Sequence, residues 1–180
     1  EAPLVRNFVR NTYRRVADTL GVERYQSVPL YLPGDTLVPE RYGRDGTLAC
    51  LRGMEGSFDR IFPITLEDEW LVPRRYLKRL DDSTAFNHVV FVDRLDQNIT
   101  TLERVDKGHW KIRSMNPATT GRHAPPYAQE TPLGMYLLQQ KKSRMVFLKD
   151  GSAATGGYAP YASRFTNGAY IHGVPVNVPR

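Results

Sequence analysis

The feature that most constrains this chain is its rhythm. From about Gln26 to Leu80, short apolar runs are cut off by Gly, Pro and Asp before a helical stripe can develop. Val28-Pro29-Leu30-Tyr31-Leu32 gives way to Pro33-Gly34-Asp35, and Arg44-Asp45-Gly46 precedes Thr47-Leu48-Ala49-Cys50-Leu51. Arg60-Ile61-Phe62-Pro63-Ile64 and Glu69-Trp70-Leu71-Val72 follow. A strand alternates faces every residue and tolerates such brevity, whereas a helix needs roughly ten or more residues to build one apolar stripe. Closely spaced short strands therefore predict a small barrel over 26–80. The 13 prolines and 14 glycines among 180 residues favour the same short strands and many turns.

The segment before this region reads differently. Leu4, Val5, Phe8, Val9, Thr12, Val16 and Leu20 recur at spacings of three and four, with Pro3 suited to a first helical turn and Gly21 to an exit. A helix over 1–25 is expected, apolar on one side and rich in arginine on the other. After the barrel, Asp81-Asp82-Ser83-Thr84 is a polar break and the expected domain boundary. His88–Asp93, Ile99–Val105 and His109–Ile112 then read as strands, the last two joined by a tight turn at Lys107-Gly108. Gly134–Gln139 and Ser143–Leu148 read as a further strand pair around Gln140-Lys141-Lys142, and Gly151–Gly157 as a loop suited to cover a cleft. The expected fold class is mainly β.

Composition narrows the partners. A net charge of +6 and a pI near 9.5 favour an anionic partner. The basic residues are scattered, however, and no zinc-finger spacing or aromatic RNA-binding motif accompanies them, so nucleic acid is not expected. Cys50, the one cysteine, rules out a disulfide within the chain. Its place in an apolar run predicts a structural thiol. His88, His109 and His123 have no ligand spacing, so no metal is expected. No apolar run approaches the roughly 18 residues that span a bilayer. The start at Glu1 in place of Met leads us to expect a removed signal peptide, a lipoprotein anchor or an artificial start upstream.

Two resemblances give these patterns a function. Glu69-Trp70-Leu71-Val72-Pro73-Arg74-Arg75-Tyr76-Leu77 resembles the last strand and closing turn of bacterial SH3-like domains. From about Phe86 onward, an ordered series resembles the catalytic domain of YkuD-type L,D-transpeptidases. Ile99-Thr100-Thr101-Leu102-Glu103 and a tryptophan strand lead to Asn116-Pro117-Ala118-Thr119-Thr120-Gly121. Glu130-Thr131-Pro132-Leu133-Gly134-Met135-Tyr136 and Ala169-Tyr170-Ile171-His172-Gly173 follow in that order.

The resemblance implies a β-sandwich catalytic domain over 85–180, a periplasmic or other envelope location, and no cofactor. It implies acyl transfer on peptidoglycan stem peptides through a cysteine thioester. His172 matches the general base and Gly173 the neighbour whose carbonyl orients it, a position where the family also carries Ser. Tyr170 matches the mouth of the site. Thr131 and Gly134, in the turn before a strand, match substrate-side positions, although turn geometry alone would also explain them. The family's Ser/Thr-His-Gly-Cys motif has no match here, and none of the seven residues after Gly173 is Cys. The resemblance thus implies a nucleophile beyond Arg180 and a catalytic domain incomplete at its C-terminus. Cross-linking, protein attachment and hydrolysis share the thioester and stay open. Two other readings use the same residues: a non-catalytic relative that binds peptidoglycan or an envelope protein, and a binding module built on the SH3-like unit.

Overall fold

Strands carry the fold, and no α-helix occurs among the described residues. The structure, a computed structural model, describes residues 4–5, 27–124 and 128–177. It divides into two units, one formed by 1–81 with 133–180 and the other by 82–132. The sequence had grouped 85–180 together, whereas residues 133–180 here share a unit with 1–81.

In the larger unit the first strands are β1 (Leu4–Val5), β2 (Ser27–Leu30), β3 (Arg41–Arg44), β4 (Ala49–Glu55), β5 (Phe58–Pro63), β6 (Trp70–Pro73) and β7 (Leu77–Lys78). All pairings are antiparallel: β2 with β3, β4 with β5, β5 with β6 and β1 with β7. Tyr31 and Leu71 exchange backbone hydrogen bonds of 2.9 and 2.8 Å, which joins β2 to β6. A 3-10 turn, Arg74–Tyr76, links β6 to β7. Leu4 and Val5, expected in a helix, are extended instead, because β7 supplies their backbone partners at Lys78 and Leu77. The rest of the expected helix lies outside the described residues.

β5 shows why these residues make strands. Asp59, Ile61 and Pro63 are buried, while Phe58, Arg60 and Phe62 between them are half-buried, a period of two. Ile61 joins Val28, Leu30, Ala49, Trp70 and Val72 in the core. Each large apolar side chain buried there contributes about 1.5–3 kcal/mol. Asp59 shares that inner face, and a buried carboxylate is costly unless paired. Arg74 Nε at 2.9 Å and Arg79 Nη2 at 3.1 Å supply the pairing. Arg74 also donates to the Gly56 carbonyl at 3.0 Å, so one guanidinium ties the β4–β5 turn to the 3-10 turn.

The unit continues with β11 (Gln140–Leu148), β12 (Thr155–Thr166), β13 (Ala169–Ile171) and β14 (Val176–Asn177). β12 is central, with β11 on one edge and both β13 and β14 on the other. Lys141 and Lys142, expected in a turn, lie inside β11, and Gly156 and Gly157 belong to β12. Residues 134–139 do not pair with β11. They run against the 45–48 segment, where Leu48 N donates to Met135 O and Leu137 N to Gly46 O, each at 2.9 Å.

Asp45 explains this arrangement. Its fully buried carboxylate accepts from Arg164 Nη2 at 2.5 Å, Thr166 Oγ1 at 3.1 Å and Asn167 N at 2.7 Å. Gly46 follows with φ +80°, and a Cβ there would collide with Gln139 Nε2 and the Phe165 carbonyl. Only glycine fits both that backbone conformation and that approach.

The smaller unit is a meander of β8 (His88–Asp93), β9 (Asn98–Asp106) and β10 (His109–Pro117), in the order β10-β9-β8. Its turn at Lys107-Gly108 forms as the sequence predicts, with Gly108 at φ +92°. Asp93 Oδ1 caps the other turn by accepting from Leu95 N at 2.8 Å and Asp96 N at 3.0 Å. Among its described residues only Thr100 is buried. No helix among the described residues is long and apolar enough to cross a membrane.

Candidate functional site

The site is built on an interruption in a strand. β13 pairs Ile171 with Ser163 and Tyr170 with Arg164, and β14 pairs Val176 with Tyr158 and Asn177 with Gly157. Both hold the same register on β12. Residues 172–175 are therefore one break in an otherwise continuous edge, opposite residues 159–162. His172 opens that break.

His172 is exposed, and its Nδ1 lies 2.8 Å from the Gly173 carbonyl oxygen. A carbonyl only accepts, so Nδ1 carries the hydrogen and the neutral ring keeps its basic lone pair on Nε2. The orienting carbonyl is itself anchored: Gly173 N donates to the Pro160 carbonyl of β12 at 2.8 Å. A Cβ on Gly173 would stand 2.9 Å from Pro160 Cγ, which explains a small residue at this approach.

Tyr170, half-buried on β13, faces Lys142 of β11 across the central β12, with Lys142 Nζ 5.8 Å from its ring centroid. Arg144 stands 5.1 Å from the Tyr158 ring centroid. These cation–aromatic pairs give the β11–β12–β13 sheet a basic, aromatic face. Tyr161, within β12, has a φ of +54° and is 79% exposed. The register of β13 and β14 puts it opposite Gly173.

His172, Gly173 and Tyr170 are thus neighbours along one edge. Gly134 packs elsewhere in the same unit, against Thr65 and the Tyr136 ring. Thr131 belongs to the smaller unit, where its hydroxyl accepts from Gly121 N at 2.8 Å. Tyr136 donates to the Leu133 carbonyl at 2.9 Å, and burial, ahead of nearby charges, raises its phenol above the ordinary value. Cys50 is half-buried in β4, opposite Phe62. His88 lies on β8, His109 bonds Asp106 at the β9–β10 turn, and His123 is exposed. Among the described residues no group of three His, Cys, Asp or Glu side chains is placed to hold a metal ion.

Compared with known proteins, the chain matches no family model, no curated protein and no solved structure.

Sequence reasoning missed Tyr161 and the Asp45 cluster. Arg44-Asp45-Gly46 was legible as a turn, but its partners lie about 120 residues away and leave no local trace. A left-handed tyrosine inside a strand leaves none either.

Proposed function

We propose that this chain carries the base-bearing part of an L,D-transpeptidase-type acyl-transfer site acting on peptidoglycan stem peptides. The observation that carries the reading is the His172 ring, oriented through Nδ1 by the carbonyl of its own neighbour, in the Ile-His-Gly sequence whose order of motifs suggested the family. In this reading, Nε2 of His172 takes the proton of a cysteine thiol, which is a weak nucleophile until deprotonated. The sulfur attacks the carbonyl carbon between the third stem residue and D-alanine. The resulting imidazolium returns its proton to the departing amine of D-alanine, leaving a thioester. An acceptor amine then attacks the thioester and loses a proton to His172, and the new amide forms as the thiolate leaves.

The cysteine is not supplied by these 180 residues at this site. Cys50 packs on the β4–β5 ladder and is assigned a structural role. In this reading the protein works in the cell envelope, where its net charge of +6 favours an anionic wall.

D-Alanine release from a stem tetrapeptide is the test, on the protein with whatever sequence its gene carries beyond Arg180. His172→Ala is expected to lower release by about 10²–10⁴-fold with an unchanged melting temperature. Turnover that survives His172→Ala removes the base assignment. Absence of both D-alanine release and an acyl adduct in the unaltered protein removes the acyl-transfer reading.

A second reading is favoured by the strands of 27–78 and by the 3-10 turn that leads into β7, an arrangement similar to an SH3-like domain. Here the chain is a non-catalytic module that binds peptidoglycan or an envelope protein. Retention on insoluble peptidoglycan that survives His172→Ala, without any turnover, would favour it.

A further inference from the structure

Among the described residues, three non-glycine residues have positive φ, and they differ in setting. Asp68, at +77°, lies in the β5–β6 connection, and Gln97, at +49°, lies in a turn where its side chain bonds Thr120. Tyr161, at +54°, lies inside a strand. A left-handed conformation costs an ordinary side chain free energy, and a bulky residue held there inside a strand is a true outlier. Such strain persists where the surroundings enforce it and gathers at functional sites.

The surroundings of Tyr161 do enforce it. On one side of it, Pro160 accepts the Gly173 amide. On the other, Ala162 is fully buried and paired with Lys142 of β11. Both neighbours are fixed, and the ring between them is 79% exposed, so burial does not repay the strain. The strand edge opposite Tyr161 is the break that begins at His172.

We infer that Tyr161 is a substrate-contacting residue, its exposed ring held out from β12 opposite the strand break that begins at His172, to pack on the acyl-donor stem peptide. This rests on the acyl-transfer reading of the same site. A rigid, amphipathic ring with few rotatable bonds provides contact area at little entropic cost. Packing needs the ring and not the hydroxyl, so Tyr161→Phe retains most of the contact. Tyr161→Gly removes the ring and suits the left-handed backbone.

The experiment measures thermal melting and binding of a stem tetrapeptide ending in D-alanine, by calorimetry, for the full chain and both variants. Tyr161→Gly is expected to melt higher by about 2–4 °C, the shift that relief of this strain produces in a chain of this size. It is also expected to bind the tetrapeptide at least tenfold more weakly, with Tyr161→Phe within about threefold of the unaltered chain. Raised melting with unchanged binding overturns the inference, because the strain then serves no ligand. Lowered melting overturns it too, because the ring would then be packing on the protein. An unaltered chain that does not bind the tetrapeptide removes the acyl-transfer reading, and this inference with it. An unaltered chain that binds while Tyr161→Gly binds equally removes this inference alone.

Discussion

His172 and Tyr136 each donate to a backbone carbonyl, and burial separates what each ring can do. His172 is exposed, so its second nitrogen is reachable by a reacting group. The half-buried Tyr136 ring donates its hydroxyl hydrogen to Leu133 O, and its partial burial favours the neutral phenol. Its folded pKa is raised above the ordinary value near 10. In the window above that value the unfolded chain has lost the proton while the folded chain keeps it, so the native state binds more protons. Stability from this group is complete below about pH 10 and is lost as pH rises through the folded pKa. Melting temperatures taken from pH 8 to 11.5 should therefore fall more steeply for the unaltered protein than for Tyr136→Phe. The variant loses about 1 kcal/mol at neutral pH from the missing hydrogen bond. Parallel curves would show that ionisation of Tyr136 is not linked to folding.

At the scale of elements, the decisive piece is the turn of residues 44–47. Asp45 joins it to the end of β12 and the turn after it through three donors, and Gly46 lets Gln139 and Phe165 approach. Asp45→Asn keeps the size but removes the charge opposite Arg164 and turns one acceptor into a donor. Breaking a buried pair in this way costs about 3–5 kcal/mol. Urea unfolding should show that loss, and a change below about 1 kcal/mol would show that backbone pairing alone joins the two stretches. The same turn marks the limit of what the sequence discloses. Short apolar and β-branched runs bounded by turn residues made β5, β8 and β9 legible, although only β5 buries every second residue. Turn chemistry made Lys107-Gly108 legible, because glycine is read locally. Residues 134–139 misled: their apolar pattern fits a strand, but their backbone is taken up by residues 46–48, a choice made by long-range partners. The site divides along the same line. The order Ile171-His172-Gly173 is local and was readable, whereas the anchor on Pro160 and the conformation of Tyr161 depend on β12 and were not.

Across the whole molecule, burial is unevenly distributed. In the larger unit, Val28, Leu30, Ile61, Leu71 and Val72 are at most 2% exposed. In the smaller unit, Phe91 is 58% exposed, Ile112 57% and Met115 63%, and Thr100 is the single buried residue among those described. The register shows that the exposure is one-sided in chemistry. Val89 pairs with Leu102, which pairs with Ile112, while Phe91 pairs with Thr100, which pairs with Met115. Successive residues alternate faces along β8 and β9, and the register shift between Ile112 and Ser114 brings Met115 back to the face of Ile112, so these six share one face. Backbone hydrogen bonds hold this meander, but a small sheet gains lasting stability mainly from the apolar area it buries. Local opening is cheapest where few side chains are packed. Hydrogen exchange on the full chain should therefore find the amides of β8 and β10 exchanging through local opening, orders of magnitude faster than those of β5. The β5 amides should wait for global unfolding, and their protection should fall with added urea at the slope of the whole transition. Equal protection in β5 and β10 would mean that the apolar face of the meander is covered in solution, and that its stability derives from that cover and not from its own packing.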